Sequence, residues 1–192
     1  MKKVLIVVTL LLLAGCSMKE AEPLKVYTFS LKNISPIPHS AHRAQTIKVA
    51  YPQTAKEKLT AKMSYSYSSS ERGYYQNSKW SNNLGKLLQG SVMEALTESR
   101  LFKAVLPYES TAEEDLRLEA TIFDFSHHVR GNASYAVISI QFSLIDTDSG
   151  KLIKTKRFSD REDTVTTDAK GYVEATNRAM ERVVNDLVAW LR

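Results

Sequence analysis

The stretch Ala136-Val137-Ile138-Ser139-Ile140-Gln141-Phe142-Ser143-Leu144 decides the fold class. Ala136, Ile138, Ile140, Phe142 and Leu144 recur at every second position, which puts all five on one face of a β-strand and leaves the serines and Gln141 on the other. It is the longest clean alternation in the chain. The run stops at Asp146-Thr147-Asp148-Ser149-Gly150, a sequence of turn formers, so residues 151–159 are predicted to return as the second arm of a hairpin.

Working upstream, Leu116, Leu118, Ala120 and Ile122 alternate with Arg117, Glu119 and Thr121 before both faces turn apolar at Ile122-Phe123. That predicts a strand central in its sheet. Residues 46–51 form another strand, stopped by Pro52, and residues 24–31 carry Tyr27, Phe29 and Leu31 on an apolar face. In residues 62–67, Met63, Tyr65 and Tyr67 alternate with small polar residues, which suits an edge strand or a hairpin arm continuing through Tyr74-Tyr75. A short strand is predicted over 101–105, an acidic loop over 107–115, and a proline- and histidine-containing loop over 33–44.

Two segments change period. Trp80, Leu84, Leu87, Leu88, Ser91, Val92, Ala95 and Leu96 recur at three- and four-residue steps, predicting an amphipathic helix over 80–98 capped by Asn77 or Ser78. From Asp168 onward Tyr172, Val173, Thr176, Ala179, Met180, Val183, Val184, Leu187 and Leu191 predict a second, terminal one. Strands in runs rather than in strict alternation with helices imply an α+β domain: a largely antiparallel or mixed sheet of six to seven strands with both helices packed on it.

The N-terminus reads differently. Met1-Lys2-Lys3 is basic, and residues 4–13 are apolar apart from Thr9. That run is half the roughly twenty residues a spanning helix needs, so it reads as the apolar region of a secretion signal. Leu13-Ala14-Gly15-Cys16 resembles the lipobox of bacterial lipoproteins, with Cys16 as the lipidated first residue. The expected organisation is therefore a signal peptide over 1–15, a lipidated cysteine and polar tether over 16–23, and a single periplasmic domain over 24–192. Cys16 is also the sole cysteine, which excludes an internal disulfide in the exported domain. By resemblance to enteric lipoproteins, in which an aspartate after the cysteine favours inner-membrane retention, Ser17 at that place makes the periplasmic face of the outer membrane the expected location.

The net charge of +5 includes Lys2 and Lys3, and acids and bases are interspersed along the remainder. No basic stretch interleaved with aromatics marks a nucleic-acid partner. Catalytic motifs are equally scarce: there is no Gly-rich phosphate loop, no Gly-x-Ser-x-Gly and no His-Glu-x-x-His. His39 and His42 sit among prolines, and the adjacent His127 and His128 point to opposite faces of a strand and read as a solvated strand end. No enzyme, metal site or cofactor is expected beyond the covalent diacylglycerol and acyl chain on Cys16. The tyrosine-rich stretch is the candidate contact surface, with Tyr65, Tyr67, Tyr74, Tyr75 and Trp80 available to a protein partner or an acyl chain, because aromatics with polar tips are enriched at interfaces.

The order of these features resembles one family. A lipobox cysteine is followed by Tyr27-Thr28-Phe29-Ser30-Leu31, then by Ile47-Lys48-Val49-Ala50-Tyr51-Pro52, then by Tyr75-Gln76-Asn77-Ser78-Lys79-Trp80 opening a Leu-rich segment. Asp115-Leu116-Arg117-Leu118-Glu119-Ala120, the turn at 146–150 and the long terminal helix complete the series. This resembles the ABC-type transport auxiliary lipoprotein components, which include the paraquat-inducible protein C lipoproteins. The resemblance implies a non-enzymatic accessory of a lipid-transport system, docking a mammalian-cell-entry-domain protein and an ABC permease and ATPase, with a homo-oligomeric ring as a further expectation. Rival readings are an assembly or plug lipoprotein of an outer-membrane channel and a periplasmic hydrolase.

Overall fold

The computed structural model describes residues 22–54 and 59–192; the expected signal peptide and Cys16 lie outside the described residues. In chain order come β1 (Lys25–Tyr27), β2 (Thr46–Val49), β3 (Lys62–Ser66), β4 (Arg72–Trp80), α1 (Leu84–Ser99), β5 (Ala104–Pro107), β6 (Leu116–Arg130), β7 (Ala133–Asp146), β8 (Leu152–Asp163) and α2 (Ala169–Leu191). The strands join one mixed eight-stranded sheet, an α+β fold with slightly more strands than the six or seven expected.

β6 organises this sheet. On one side β7 pairs with it antiparallel from end to end, and β8 adds to β7 in the same sense. On the other side its first half pairs parallel with β2, which carries β5, while His127 and His128 in its second half pair parallel with β3, which carries β4 and β1. Between the two groups the chain runs beside β6, with the Ala50 and Gln53 amides donating to the Leu118 and Ala120 carbonyls. Gly131 takes φ +58° in the two-residue turn joining β6 to β7, a left-handed conformation that glycine adopts without steric cost.

A β-bulge interrupts β6. Ile122 pairs with Ile140 and Asp124 with Ser139, leaving Phe123 as the extra residue. Before the bulge Leu116, Leu118, Ala120 and Ile122 are buried; after it the buried parity changes to Phe125 and His127. The strand is central, as its sequence implies, but the apolar doublet Ile122-Phe123 has a different cause from burial on both faces. Phe123 is turned to the outer face, where the Arg157 guanidinium lies 4.2 Å from its ring centre.

Both helices cover the inner face, α2 against β7 and β8 and α1 against β2 and β5. The Asn83 side chain caps α1 by accepting from the Lys86 amide, and Asp168 caps α2 by accepting from Gly171. Leu88, Val92 and Leu96 of α1 join Tyr172, Val184 and Leu187 of α2 in one continuous apolar core with the sheet. Arg178 and Arg182 pin α2 to β8 through Glu162 and Asp160.

The helix expected over 80–98 begins instead at Leu84, because Trp80 is the last residue of β4 and pairs with Tyr27 of β1. Asn77 and Ser78 lie within β4 and cap nothing. Trp80 has helical spacing to Leu84 and Leu88 because the inward end of β4 and the inner stripe of α1 face the same core. The strand expected over 24–31 shortens to Lys25–Tyr27; Phe29 leaves the sheet but rests on Trp80 and Phe125 with ring centres 5.1 and 5.4 Å away. β3 is an interior strand between β4 and β6 rather than an edge.

Candidate functional site

The tyrosine-rich hairpin sits over a continuous column of rings that runs from solvent into the core. Tyr67 contacts Tyr65 at 5.1 Å between ring centres, Tyr65 contacts Tyr75 at 5.3 Å, and Tyr75 lies over His127 at 6.2 Å. His127 stacks nearly parallel on Tyr172 at 5.1 Å, and Tyr172 meets Trp80 edge-on at 5.7 Å. Such pairs each contribute about 0.5–1.5 kcal/mol beyond area burial. The column couples β3, β4, β6 and α2, so it fixes the hairpin to the body.

His127 is at the centre of the column and fully buried, correcting its reading as part of a solvated strand end. The bulge at Phe123 is the cause, since it turns odd-numbered residues inward. Its Nδ1 lies 2.7 Å from the Tyr75 hydroxyl, while Nε2 has no hydrogen-bond partner. Burial, reinforced by the neighbouring His128, pushes its pKa down to about 4, so the ring is neutral near pH 7. Burial likewise raises the Tyr75 phenol well above its ordinary value. The protonated phenol and the neutral imidazole share this one hydrogen bond, whose direction is set by the imidazole tautomer.

Beside the hairpin, a cleft of about 290 Å³ opens along β3, β4 and β6. Tyr65, Tyr74, Lys62, Arg72 and Asp124 line it, together with the nearly buried Trp80, Leu84 and Phe125. The Lys62 ammonium sits 5.1 Å from the centre of the Tyr74 ring. Gly73 gives Tyr65 its place, because a Cβ there would come within 2.5 Å of the Tyr65 hydroxyl. The five aromatic residues expected at a contact surface therefore separate. Trp80 is core at 2% exposure and Tyr75 is spent on His127, whereas Tyr67, Tyr74 and Tyr65 remain accessible or partly so.

Asp124, Ser126 and His128 project together on the outer face of β6 and contain the residue types of a hydrolytic triad. Their wiring is different. Ser126 Oγ donates to Asp124 Oδ1 at 2.7 Å, and both Ser126 Oγ and Asp124 Oδ2 approach the same His128 nitrogen, Nε2, at 3.0 and 3.2 Å. A triad needs the carboxylate on the nitrogen opposite the nucleophile, so that the ring can relay a proton from the serine. Here the serine proton goes to the carboxylate. Among the described residues no group of three or more His, Cys, Asp or Glu side chains is placed to hold a metal, and no helix is long and apolar enough to cross a membrane.

A sequence model of the ABC-type transport auxiliary lipoprotein component family matches residues 27–188, nearly the whole described chain. The chain belongs to that family. As an auxiliary lipoprotein it is membrane-anchored and periplasmic, and the family name itself ties it to ABC transport. The fold is similar to that of protein XCC0632 from Xanthomonas campestris, at 20% identity and a TM-score of 0.78 over 86% of this chain and 94% of that one. It is also similar to an uncharacterised protein at 16% identity and a TM-score of 0.69, covering 89% of this chain and all of the other. No curated protein matches the auxiliary lipoprotein in sequence.

Sequence reasoning on the auxiliary lipoprotein missed His127 as a core residue and the cleft as a feature. The available signal was the apolar doublet at 122–123, where a parity change would have turned His127 inward. The cleft has no such signal, since it is assembled from residues of β3, β4 and β6 that are distant in sequence.

Proposed function

We propose that this lipoprotein is a non-enzymatic accessory of an ABC-driven lipid-transport system, anchored through acyl groups on Cys16 at the periplasmic face of the outer membrane. Lipid passes through a mammalian-cell-entry-domain partner powered by the ABC permease and ATPase, and this chain docks that partner. Family membership over residues 27–188 carries the reading. The wiring of Asp124, Ser126 and His128 supports it, because the polar cluster closest in composition to a catalytic centre is arranged as a structural knot.

The cleft between Tyr65 and Tyr74 is the docking point. It offers the partly exposed Tyr65 and Tyr74 and sets the cations Lys62 and Arg72 against the carboxylate Asp124, a composition that suits a protein segment carrying an apolar anchor beside a carboxylate. The test is formaldehyde crosslinking in cells followed by affinity capture of the chain. The wild type should bring down the permease, the ATPase and the mammalian-cell-entry protein, and Tyr74→Ala should weaken capture by about 2 kcal/mol in affinity, the size of an interface hot spot. Recovery of no transporter component with the wild type would overturn the function. Undiminished recovery with a folded Tyr74→Ala protein would move the docking point elsewhere.

A further inference from the structure

We infer that one end of the sheet rests on the headgroup layer of the bilayer that holds the anchor, with Tyr67 and Val165 dipping into it. The inference rests on the proposed lipidation of Cys16. Six peptide units separate Cys16 from Glu22, so the lipid lies within about 20 Å of the described fold.

The direction of that link follows from strand sense. β1 runs parallel to β4, Lys25 beside Ser78 and Tyr27 beside Trp80, so the chain preceding Lys25 enters along β4 from the Arg72 side. The Glu22 carboxylate reaches the Asn77 side chain, consistent with that course. Arg72 is five residues before Asn77, about 17 Å along a strand, within the reach of the link.

The same end of the sheet gathers three connections. The β3–β4 turn lies there, as does the β6–β7 turn, because Ser66 pairs with His128 and Arg130 with Ala133. The loop after β8 lies there too, since Tyr135 pairs with Asp163 and the Thr164 amide donates to the Ser134 carbonyl. Tyr67 opens the first turn at 49% exposure, and Val165 in the last loop is 80% exposed. From β3 to β8 is three strand spacings, about 15 Å, so both side chains can meet one flat surface.

Arg72 and Arg130 accompany them. The Arg130 guanidinium donates to the Ser66 and Val129 carbonyls and keeps its charge unneutralised by those contacts. Tyrosine and an aliphatic side chain flanked by arginines are the groups that settle at the boundary between headgroups and acyl chains. This end carries acids as well, Glu71 in the first turn and Asp163 and Asp168 around the last loop, while the opposite end holds Glu113 and Asp115 before β6 and Asp146 and Asp148 after β7. The exposed Tyr67 and Val165, with Arg72 and Arg130 beside them, present to the bilayer the end that the anchor reaches.

The lipidated full-length protein tests this directly, because acylation consumes Cys16 and leaves an introduced cysteine as the sole thiol. Nitroxide labels are placed in Tyr67→Cys, Val165→Cys and, at the far end, Asp148→Cys, and the proteins are reconstituted in phosphatidylethanolamine–phosphatidylglycerol vesicles. Labels at 67 and 165 should collide with a water-soluble nickel chelate several-fold less often than the label at 148, and more often with dissolved oxygen. Equal nickel accessibility at all three positions would overturn the proposal. So would protection of 67 and 165 that appears in native membranes but not in pure lipid, which assigns that end to a protein. Absence of acyl mass on Cys16 would overturn the anchor itself, a separate reading of the mass spectrum.

Discussion

The Tyr75 hydroxyl lies 2.7 Å from Nδ1 of His127, and this bond joins the tyrosine hairpin to the core through a histidine that burial keeps uncharged. The linkage has a definite sign. His127 titrates near its ordinary 6.5 when unfolded and near about 4 when folded, so between those values the unfolded chain binds a proton that the folded chain refuses. Stability should therefore fall as pH drops from 6.5 towards 4 and lose this dependence below. Urea midpoints of the wild type and His127→Phe at pH 4.5 and 7 check it. The substitution should flatten the acid-side loss, and parallel losses would show that His127 is not its source.

Gly171 sets helix propensity against packing. In the first turn of α2 an alanine is intrinsically favoured over glycine by about 1 kcal/mol. A Cβ at Gly171 would however lie 2.1 Å from the Thr166 carbonyl oxygen, a backbone atom that cannot swing aside. Gly171→Ala should thus destabilise by about 1–3 kcal/mol, the usual cost of overpacking. A rise in melting temperature would contradict this placement of the loop before α2.

Leu88 and Leu187 are both fully buried, one in each helix. Replacement of either by alanine should cost about 2–5 kcal/mol through lost burial and the cavity left behind. Chemical denaturation measures it. A loss below half a kcal/mol at both positions, well under that range, would mean that the helices do not bury these faces.

Cys16→Ser removes the acyl acceptor. Labelled palmitate should enter the wild type alone, and the variant should remain an unprocessed precursor or appear unlipidated. Equal labelling of the two would refute lipidation at this position.

Much of the architecture was legible because the alternations were long. Residues 136–144 and 151–159 appear as strands β7 and β8, and the stripe from Tyr172 to Leu191 appears as α2. The errors lie where two periods meet. Trp80 satisfies a helical step and a strand end at once, and only its pairing with Tyr27 resolves which one it occupies. Phe123 mimics a doubly buried strand because a bulge, like burial on both faces, places apolar residues side by side. The contact surface suffered most, since periodicity cannot separate Tyr74, which walls a cleft, from Tyr75, which caps a buried histidine.

The proposed function places this chain and an ABC transporter in one lipid-transport route. The direct measurement is transfer of radiolabelled phospholipid between inner and outer membranes in cells lacking this chain, lacking the ATPase captured with it, or lacking both. Either single deletion should slow transfer, and the double deletion should be no slower than the slower single one. Defects that add, or transfer unchanged by loss of this chain, would contradict it.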